Sequence, residues 1–402
     1  MSQRVFITGM GIISGIGNNL EETLHSLQEK KSGVSEIKYL HTNHRGVIPV
    51  SEVKLSEGEL IERAGLTKGE PCTRSSLIGI IAADEAVKNA QIEDIKECRT
   101  GLISGNTVGG MDKIELYYKD LLETSNHIEY IETQDCGDST ERIADCIGVK
   151  DFVSTTSTAC SSAANSMILG ARMIKNGLLD RVVAGGTEAL TKYHINGFKT
   201  LMILDREPCK PFDENREGLN LGEGAAFLIL ESEEMVKKYG KKALAELTGY
   251  GNSCEAFHQT SSTPDGKGAY AAMKEALDRS GLKPEDIDYV NAHGTGTENN
   301  DLSEGRAIEK IFGENIPKVS SIKSYTGHTT SAAGGVEGVI SILSLQHNTI
   351  FPNLNFKEQM KELKFKPVTE VIENVKVDNV LSNSFGFGGN NSALIFSRYQ
   401  DY

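Results

Sequence analysis

Seven cysteines and nine histidines are scattered along the 402 residues, and most of them sit in unremarkable flanks. Cys160 is the exception. It lies between the strand-like Phe152-Val153 and the run Ser161-Ser162-Ala163-Ala164-Asn165-Ser166-Met167-Ile168-Leu169-Gly170-Ala171, which is apolar on most faces and predicts a buried central helix. A thiol at a helix start is a nucleophile in waiting. An ordinary cysteine is only about 3% thiolate at pH 7. A helix dipole favours an anion at its N-terminus by roughly 0.3–2 kcal/mol, about 0.2–1.5 pKa units. The sequence therefore predicts an activated thiol, one that iodoacetamide labels ahead of the other six, with small neighbours Ala159 and Ser161 leaving room for an acyl chain. A cysteine taken at random is more often a structural thiol; three further motifs point the other way.

His293 closes the strand-like Tyr289-Val290-Asn291-Ala292 and opens the loop His293-Gly294-Thr295-Gly296-Thr297, a strand-end position where α/β proteins hold ligands. His328 ends Ser324-Tyr325-Thr326-Gly327-His328, again before a small-residue helix start. Two imidazoles at equivalent ends beside glycine suit proton transfer or hydrogen-bond donation. Lys323, five residues before His328, is placed to tune their protonation. The C-terminal run Asn383-Ser384-Phe385-Gly386-Phe387-Gly388-Gly389-Asn390-Asn391 reads as a flexible loop that can gate a pocket and offer a backbone N–H to an oxyanion.

These residues need a scaffold that brings distant segments together, and the chain supplies one by repeating itself. Ala82 to Ala86, Ile92 to Ile95 and Gly101 to Gly109 run in the same order as Ala271 to Leu277, Pro284 to Ile287 and Tyr289 to Thr297. Thr156-Ser157-Thr158-Ala159-Cys160 lies on Ser324-Tyr325-Thr326-Gly327-His328. Gly222 to Leu230 likewise lies on Gly386 to Phe396. The first copy carries about 24 extra residues, assigned to 112–146 as a cap or subunit-contact insertion. Strands alternating with helices imply βαβ units and largely parallel sheets, hence an α/β protein in two halves, 1–240 and 241–402.

Bulk properties narrow the classes. With 38% hydrophobic and 24% charged residues the chain is ordinary globular material. A net charge of −14 argues against a nucleic-acid surface, so an acidic partner must find a local basic patch. The cysteines show no C-x-x-C pair, which suggests neither a metal site nor a disulfide framework. No signal-like segment opens the chain and no apolar run approaches the roughly 20 residues of a membrane span, so a cytoplasmic location without membrane attachment is expected. Gly9-Met10-Gly11-Ile12-Ile13-Ser14-Gly15 imitates a dinucleotide fingerprint, but its third glycine comes one residue late and no acidic partner follows.

Taken together, Thr158 to Ser162, Asn291 to Thr297, Lys323 to His328 and Asn383 to Gly389 resemble the elongating β-ketoacyl-acyl-carrier-protein synthases, of the synthase II kind. The resemblance extends to Pro211-Phe212-Asp213 through Gly218, Gly222-Glu223-Gly224 and Ala332 to Glu337, nearly the whole chain. It implies the thiolase fold, two duplicated halves in an α-β-α-β-α sandwich, assembled as a homodimer. It implies that Cys160 accepts an acyl group from an acyl carrier protein, and that malonyl-carrier protein then loses carbon dioxide and attacks that thioester, with no cofactor. His293 and His328 would stabilise the enolate oxygen, supported by Lys323, Glu337 and Asp301. The N–H groups of Cys160 and Phe387 would hold the other oxyanion, Phe385 and Gly388 flanking a gate at Phe387. Thr295 and Thr297 would line the pantetheine channel, Val108 would abut the acyl tail, and Lys210 would dock the carrier.

The pattern departs from the family at Asn390, where threonine is usual, and at Glu298-Asn299-Asn300-Asp301, which replaces a proline-containing turn. Ser161-Ser162 resembles polyketide-type relatives, so fatty-acid and polyketide or polyene pathways both stay open. The other reading is a non-catalytic chain-length partner of an active synthase; such partners lack the nucleophile that Cys160 provides. A degradative thiolase would need a second cysteine in the final glycine loop, and none follows Cys254.

Overall fold

A computed structural model describes residues 3–67, 69–124 and 126–399. The outermost residues of the two expected halves and Ser125 within the expected insertion therefore lie outside the description. Ten strands form the frame: β1 Val5–Ser14, β2 Thr100–Gly105, β3 Phe152–Thr156, β4 Arg181–Glu188, β5 Gly224–Ser232, β6 Ala245–Cys254, β7 Tyr289–Asn291, β8 Lys318–Ser320, β9 Asn379–Phe385 and β10 Asn390–Ser397. Their order is β3-β2-β4-β5-β1-β6-β10-β9-β7-β8. Read outward from the middle, the two sets of five mirror each other. β2 pairs in parallel with β3 and β4, as β7 does with β8 and β9. β5 and β10 run antiparallel to both of their neighbours. The two sets meet at a short antiparallel contact, Phe6 opposite Glu246 and Ile7 opposite Ala245.

β1, β2, β4 and β5 are buried along their whole length, as continuous apolar runs covered on both faces must be. Helix Arg74–Asn89 covers β1, β4 and β5 from outside, and Lys267–Ser280 covers β6 and β10. Between the sheets lie the helices Ser162–Lys175 and Ala333–His347. The second is mostly apolar, apart from the row Glu337, Ser341 and Ser344, and is buried from Ala333 to Leu345, as a helix packed against both sets of strands requires. The two central helices meet closely at Gly334: a Cβ there would lie 2.8 Å from the Ala164 nitrogen. Any side chain would force them apart and displace the helix starts that follow Cys160 and His328.

The segment between β2 and β3 is longer than its counterpart between β7 and β8. It adds the helix Met111–Glu123 and two short turns before the helix Cys136–Ile147. No helix among the described residues is long and apolar enough to cross a membrane.

Candidate active site

Cys160 sits on a tight turn. Ala159 adopts φ +50°, a left-handed conformation that costs a non-glycine residue strain and is commonly found where geometry is imposed by function. Ser162 stabilises the turn, its Oγ accepting from the Thr158 N–H at 2.9 Å and donating to the Ala159 carbonyl at 2.7 Å. The helix itself begins at Ser162, so the thiol stands just ahead of its first turn.

The mirror-related position before the other central helix is occupied by His328. Its Nε2 lies 3.1 Å from Cys160 Sγ. His293 packs edge-on against His328, ring centroids 5.3 Å apart at 85°, and 5.8 Å from the Phe385 ring. Lys323 Nζ faces His293 Nδ1 at 3.2 Å, donates to the His293 carbonyl at 2.5 Å, and forms a buried ion pair with Glu337. Glu337 in turn accepts from Ser384 Oγ at 3.0 Å. An ammonium donating to Nδ1 leaves the His293 proton on Nε2. Burial first, then the Lys323 charge, drives both imidazoles well below the ordinary histidine range, so both are neutral at pH 7.

The activation expected of Cys160 does not hold in the resting site. Burial pushes its thiol up to about 11; the Lys323 charge and the Phe387 and Cys160 N–H groups pull the other way without overcoming it. At pH 7 about one molecule in ten thousand carries the thiolate. A sequence shows the helix start but not that the thiol is only 5% exposed. Fast labelling by iodoacetamide is accordingly not expected of Cys160, and the exposed Cys146 and Cys254 precede it. What remains is a protonated thiol within hydrogen-bond distance of a neutral imidazole.

The two N–H groups near Sγ come from elements far apart in sequence. Gly386 carries the C-terminal loop against the nucleophile turn, where an added Cβ would lie 2.8 Å from the Thr158 carbonyl and 3.3 Å from the Cys160 nitrogen. The next residue, Phe387, points its N–H at the sulfur and stacks its ring on Phe198, centroids 5.7 Å apart. Gly388 follows with φ +82° and is exposed.

Cys160, His293 and His328 share a cavity of about 370 Å³ with Thr295, Thr297, Phe385, Phe387 and Gly388. Thr295 and Thr297 are joined through their hydroxyls at 2.8 Å. Asp301 stands behind this loop rather than in it, its buried carboxylate accepting from the Phe212 N–H at 2.7 Å and the Gly296 N–H at 3.2 Å. Val108 does not line the cavity; it follows β2 in a loop whose N–H groups are held by Glu188. Lys210 is half-buried, its charge felt by Asp205 and Asp213.

Sequence reading missed Glu304, which accepts from the His293 N–H at 2.9 Å and the Gly294 N–H at 2.8 Å and so fixes the backbone that aims the imidazole. It lies on the polar-looking helix Glu298–Phe312, yet it is fully buried, with its carboxyl pushed by burial to about 7. Nothing in the local pattern marks it out. Phe198 and the rim residues Leu201 and Met202 were missed too, though the apolar pair Leu201-Met202 just after a helix was there to notice.

The comparisons with known proteins agree with this geometry. Residues 2–235 match the N-terminal domain of beta-ketoacyl synthases and residues 244–357 the C-terminal domain. The chain belongs to the beta-ketoacyl synthase family. Among its relatives, the 3-oxoacyl-[acyl-carrier-protein] synthase 2 of Staphylococcus aureus (strain N315) is 33% identical over 412 residues, covering 99% of each chain. That of Synechocystis sp. is 32% identical over 413, again 99% of each. Among solved structures, the ishigamide ketosynthase/chain length factor superposes with a TM-score of 0.93 at 30% identity over all of both chains. A type II polyketide ketosynthase solved with its acyl-carrier protein gives 0.88 at 25% identity, covering 99% of this chain and 100% of the other. This beta-ketoacyl synthase has the thiolase fold of its structural neighbours and is an acyl-transferring, carbon–carbon bond-forming enzyme.

Proposed function

We propose that Cys160 is the acyl carrier of the reaction and that His293, His328 and Lys323 run the decarboxylation, with 1–240 supplying the nucleophile and 241–402 the imidazoles. The observation that carries this is the 3.1 Å approach of His328 Nε2 to Cys160 Sγ inside one cavity that His293 also lines. In the first half-reaction Sγ attacks the acyl thioester of an acyl carrier protein. The thiol proton moves through His328 to the departing pantetheine sulfur. Among the described residues no group bonds His328 Nδ1, so the protein leaves its tautomer free for that relay. The carbonyl oxygen, negative in the transition state, takes the N–H groups of Cys160 and Phe387. In the second, the malonyl thioester loses carbon dioxide, and the Nε2–H groups of the two neutral imidazoles hold the enolate oxygen. The carbanion attacks the acyl carbonyl, the same two N–H groups serve again, and the Cys160 thiolate leaves and is reprotonated.

Thr295 and Thr297 line the way to the surface, and Phe387, stacked on Phe198, is the movable wall. Glu337 and Asp301 act through Lys323 and the His293 loop. The acidic net charge of −14 makes the carrier's docking a local matter; Lys210 is a minor contributor because two carboxylates already share its charge. A homodimer fits the free edge of β3, where Val153 is 38% exposed. Structural neighbours described as a ketosynthase with its chain length factor favour a second arrangement, in which this chain is the catalytic member of an unlike pair. The non-catalytic role is disfavoured by the intact thiol and imidazoles.

The test is mass spectrometry of the chain after incubation with acyl-loaded carrier protein. An acyl adduct on the Cys160 peptide is expected, discharged by malonyl-carrier protein. An adduct on another cysteine, or none, overturns the assignment.

A further inference from the structure

The N–H groups of Cys160 and Phe387 belong to segments more than 200 residues apart, and their spacing decides whether both reach one oxygen. We propose that Asn390 is the positioning residue that holds them in register, a clamp between the C-terminal loop and the nucleophile turn. The proposal rests on Cys160 being the acylated thiol.

Asn390 is tied to both sides. Through its main chain, its carbonyl accepts from the Gly386 N–H at 2.8 Å, closing the loop that presents Phe387. Through its side chain, Oδ1 accepts from Ser161 Oγ at 2.8 Å and Asn165 Nδ2 at 2.8 Å, one beside the nucleophile and the other in the first turn of its helix. A third donor, Asn252 Nδ2 on β6, reaches the same oxygen at 2.9 Å. Asn165 also donates to Thr158 Oγ1 at 2.8 Å, and the single Ser161 hydroxyl proton is shared between Asn390 Oδ1 and the Thr158 carbonyl, also at 2.8 Å. Thr158 starts the turn that carries Ala159 in its left-handed conformation. One oxygen thus lies within reach of three donors, two from the nucleophile turn and its helix and the third from β6, the strand beside β10. A side chain placed only to cap the final strand has no need of Ser161 or Asn165.

The register matters because a donor displaced by about 1 Å can cost a factor of about 100 in rate. Loss of the clamp should therefore appear in the step that builds negative charge on the acyl carbonyl. Malonyl decarboxylation uses the imidazoles of His293 and His328, which Asn390 does not touch, and should be spared.

The experiment follows the rate of Cys160 acylation by intact mass, using acyl-loaded carrier protein, alongside carbon dioxide release from malonyl-carrier protein. Asn390→Ala is expected to slow acylation about 10- to 100-fold while decarboxylation stays within about threefold of wild type. Asn390→Asp keeps an oxygen for the same three donors but sets its second oxygen against Asn252 Oδ1, where Asn390 Nδ2 donates at 3.5 Å; it should acylate faster than Asn390→Ala, as charge-assisted acceptors are at least as strong as neutral ones. Ser161→Ala deletes one arm of the clamp without altering the loop, and should slow acylation less than Asn390→Ala does. Wild-type acylation in Asn390→Ala or in Ser161→Ala overturns the clamp. So does an Asn390→Asp variant as slow as Asn390→Ala, or decarboxylation reduced as much as acylation. A wild-type enzyme that never acylates Cys160 defeats the nucleophile assignment itself, a result separable from the others.

Discussion

The loop after β2 and the loop after β7 leave equivalent strands and are held by the same device, yet only one of them lines the cavity. In each, a fully buried carboxyl pushed to about 7 by burial clasps successive backbone N–H groups: Glu188 takes those of Thr107 and Val108, Glu304 those of His293 and Gly294. The carboxyls come from different elements, the end of β4 and the helix Glu298–Phe312. The side chains they position differ more. Asn106 spends its amide tying its loop to the end of β4, donating to the Thr187 carbonyl and Glu188 and accepting from the Gly109 N–H. His293 is gripped at Nδ1 by Lys323 and turns Nε2 to the cavity. A duplicated scaffold thus supplies two loops held by buried carboxyls, and only the second sets an imidazole, with a buried lysine behind it, at the cavity.

The contrast breaks most severely at the buried ion pair, which the first loop lacks. Lys323→Met leaves Glu337 charged and unpaired in the core and is expected to lower stability by about 3–5 kcal/mol, read from the denaturant midpoint. The double variant Lys323→Met with Glu337→Gln should recover part of that loss, and no recovery would place the cost outside the pair. Next comes His293→Asn, which removes the imidazole and keeps a polar side chain of smaller size. Malonyl decarboxylation should fall about 10²- to 10³-fold, the usual cost of one donor to a developing oxyanion, while acyl transfer to Cys160 persists; equal losses in both steps would remove His293 from the enolate.

Titration sharpens the same difference. His293 and His328 have folded-state pKa values well below the ordinary 6.5, so the unfolded chain binds protons that the native site refuses. Their contribution to stability is complete above about pH 6.5 and is lost as the pH falls below it; denaturation midpoints from pH 8 to 5 should show a decline that His293→Asn weakens. On the alkaline side Cys160, at about 11, should be alkylated about tenfold faster for each pH unit gained from 7 to 10. A plateau near pH 8 would mean that the thiol is activated at rest after all. The smallest effect is expected on the other loop: Val108→Ala should change turnover of a short acyl substrate less than about threefold, since Val108 is absent from the cavity walls.

Much of this was open to reading from the chain. The duplication, the strand and helix alternation and the loops at Cys160, His293, His328 and Phe387 are local patterns, fixed by hydrophobic period and by glycine placement within a dozen residues. Glu304 was not legible, because a glutamate on a charged-looking helix declares itself only when tertiary packing buries it. The protonation state of Cys160 was misjudged for a related reason: the helix start is sequential information, whereas the desolvation that outweighs it is spatial.

The sequence alone determined which residues could react and that two similar halves would carry them, since residue type and periodicity are properties of the chain. Only the tertiary structure decided that Cys160 and His328, 168 positions apart, would stand 3.1 Å from each other, that Lys323 would set the proton of His293, and that the thiol would rest protonated. Distance, burial and charge act through space, and they come into being only when the two sheets close on their central helices.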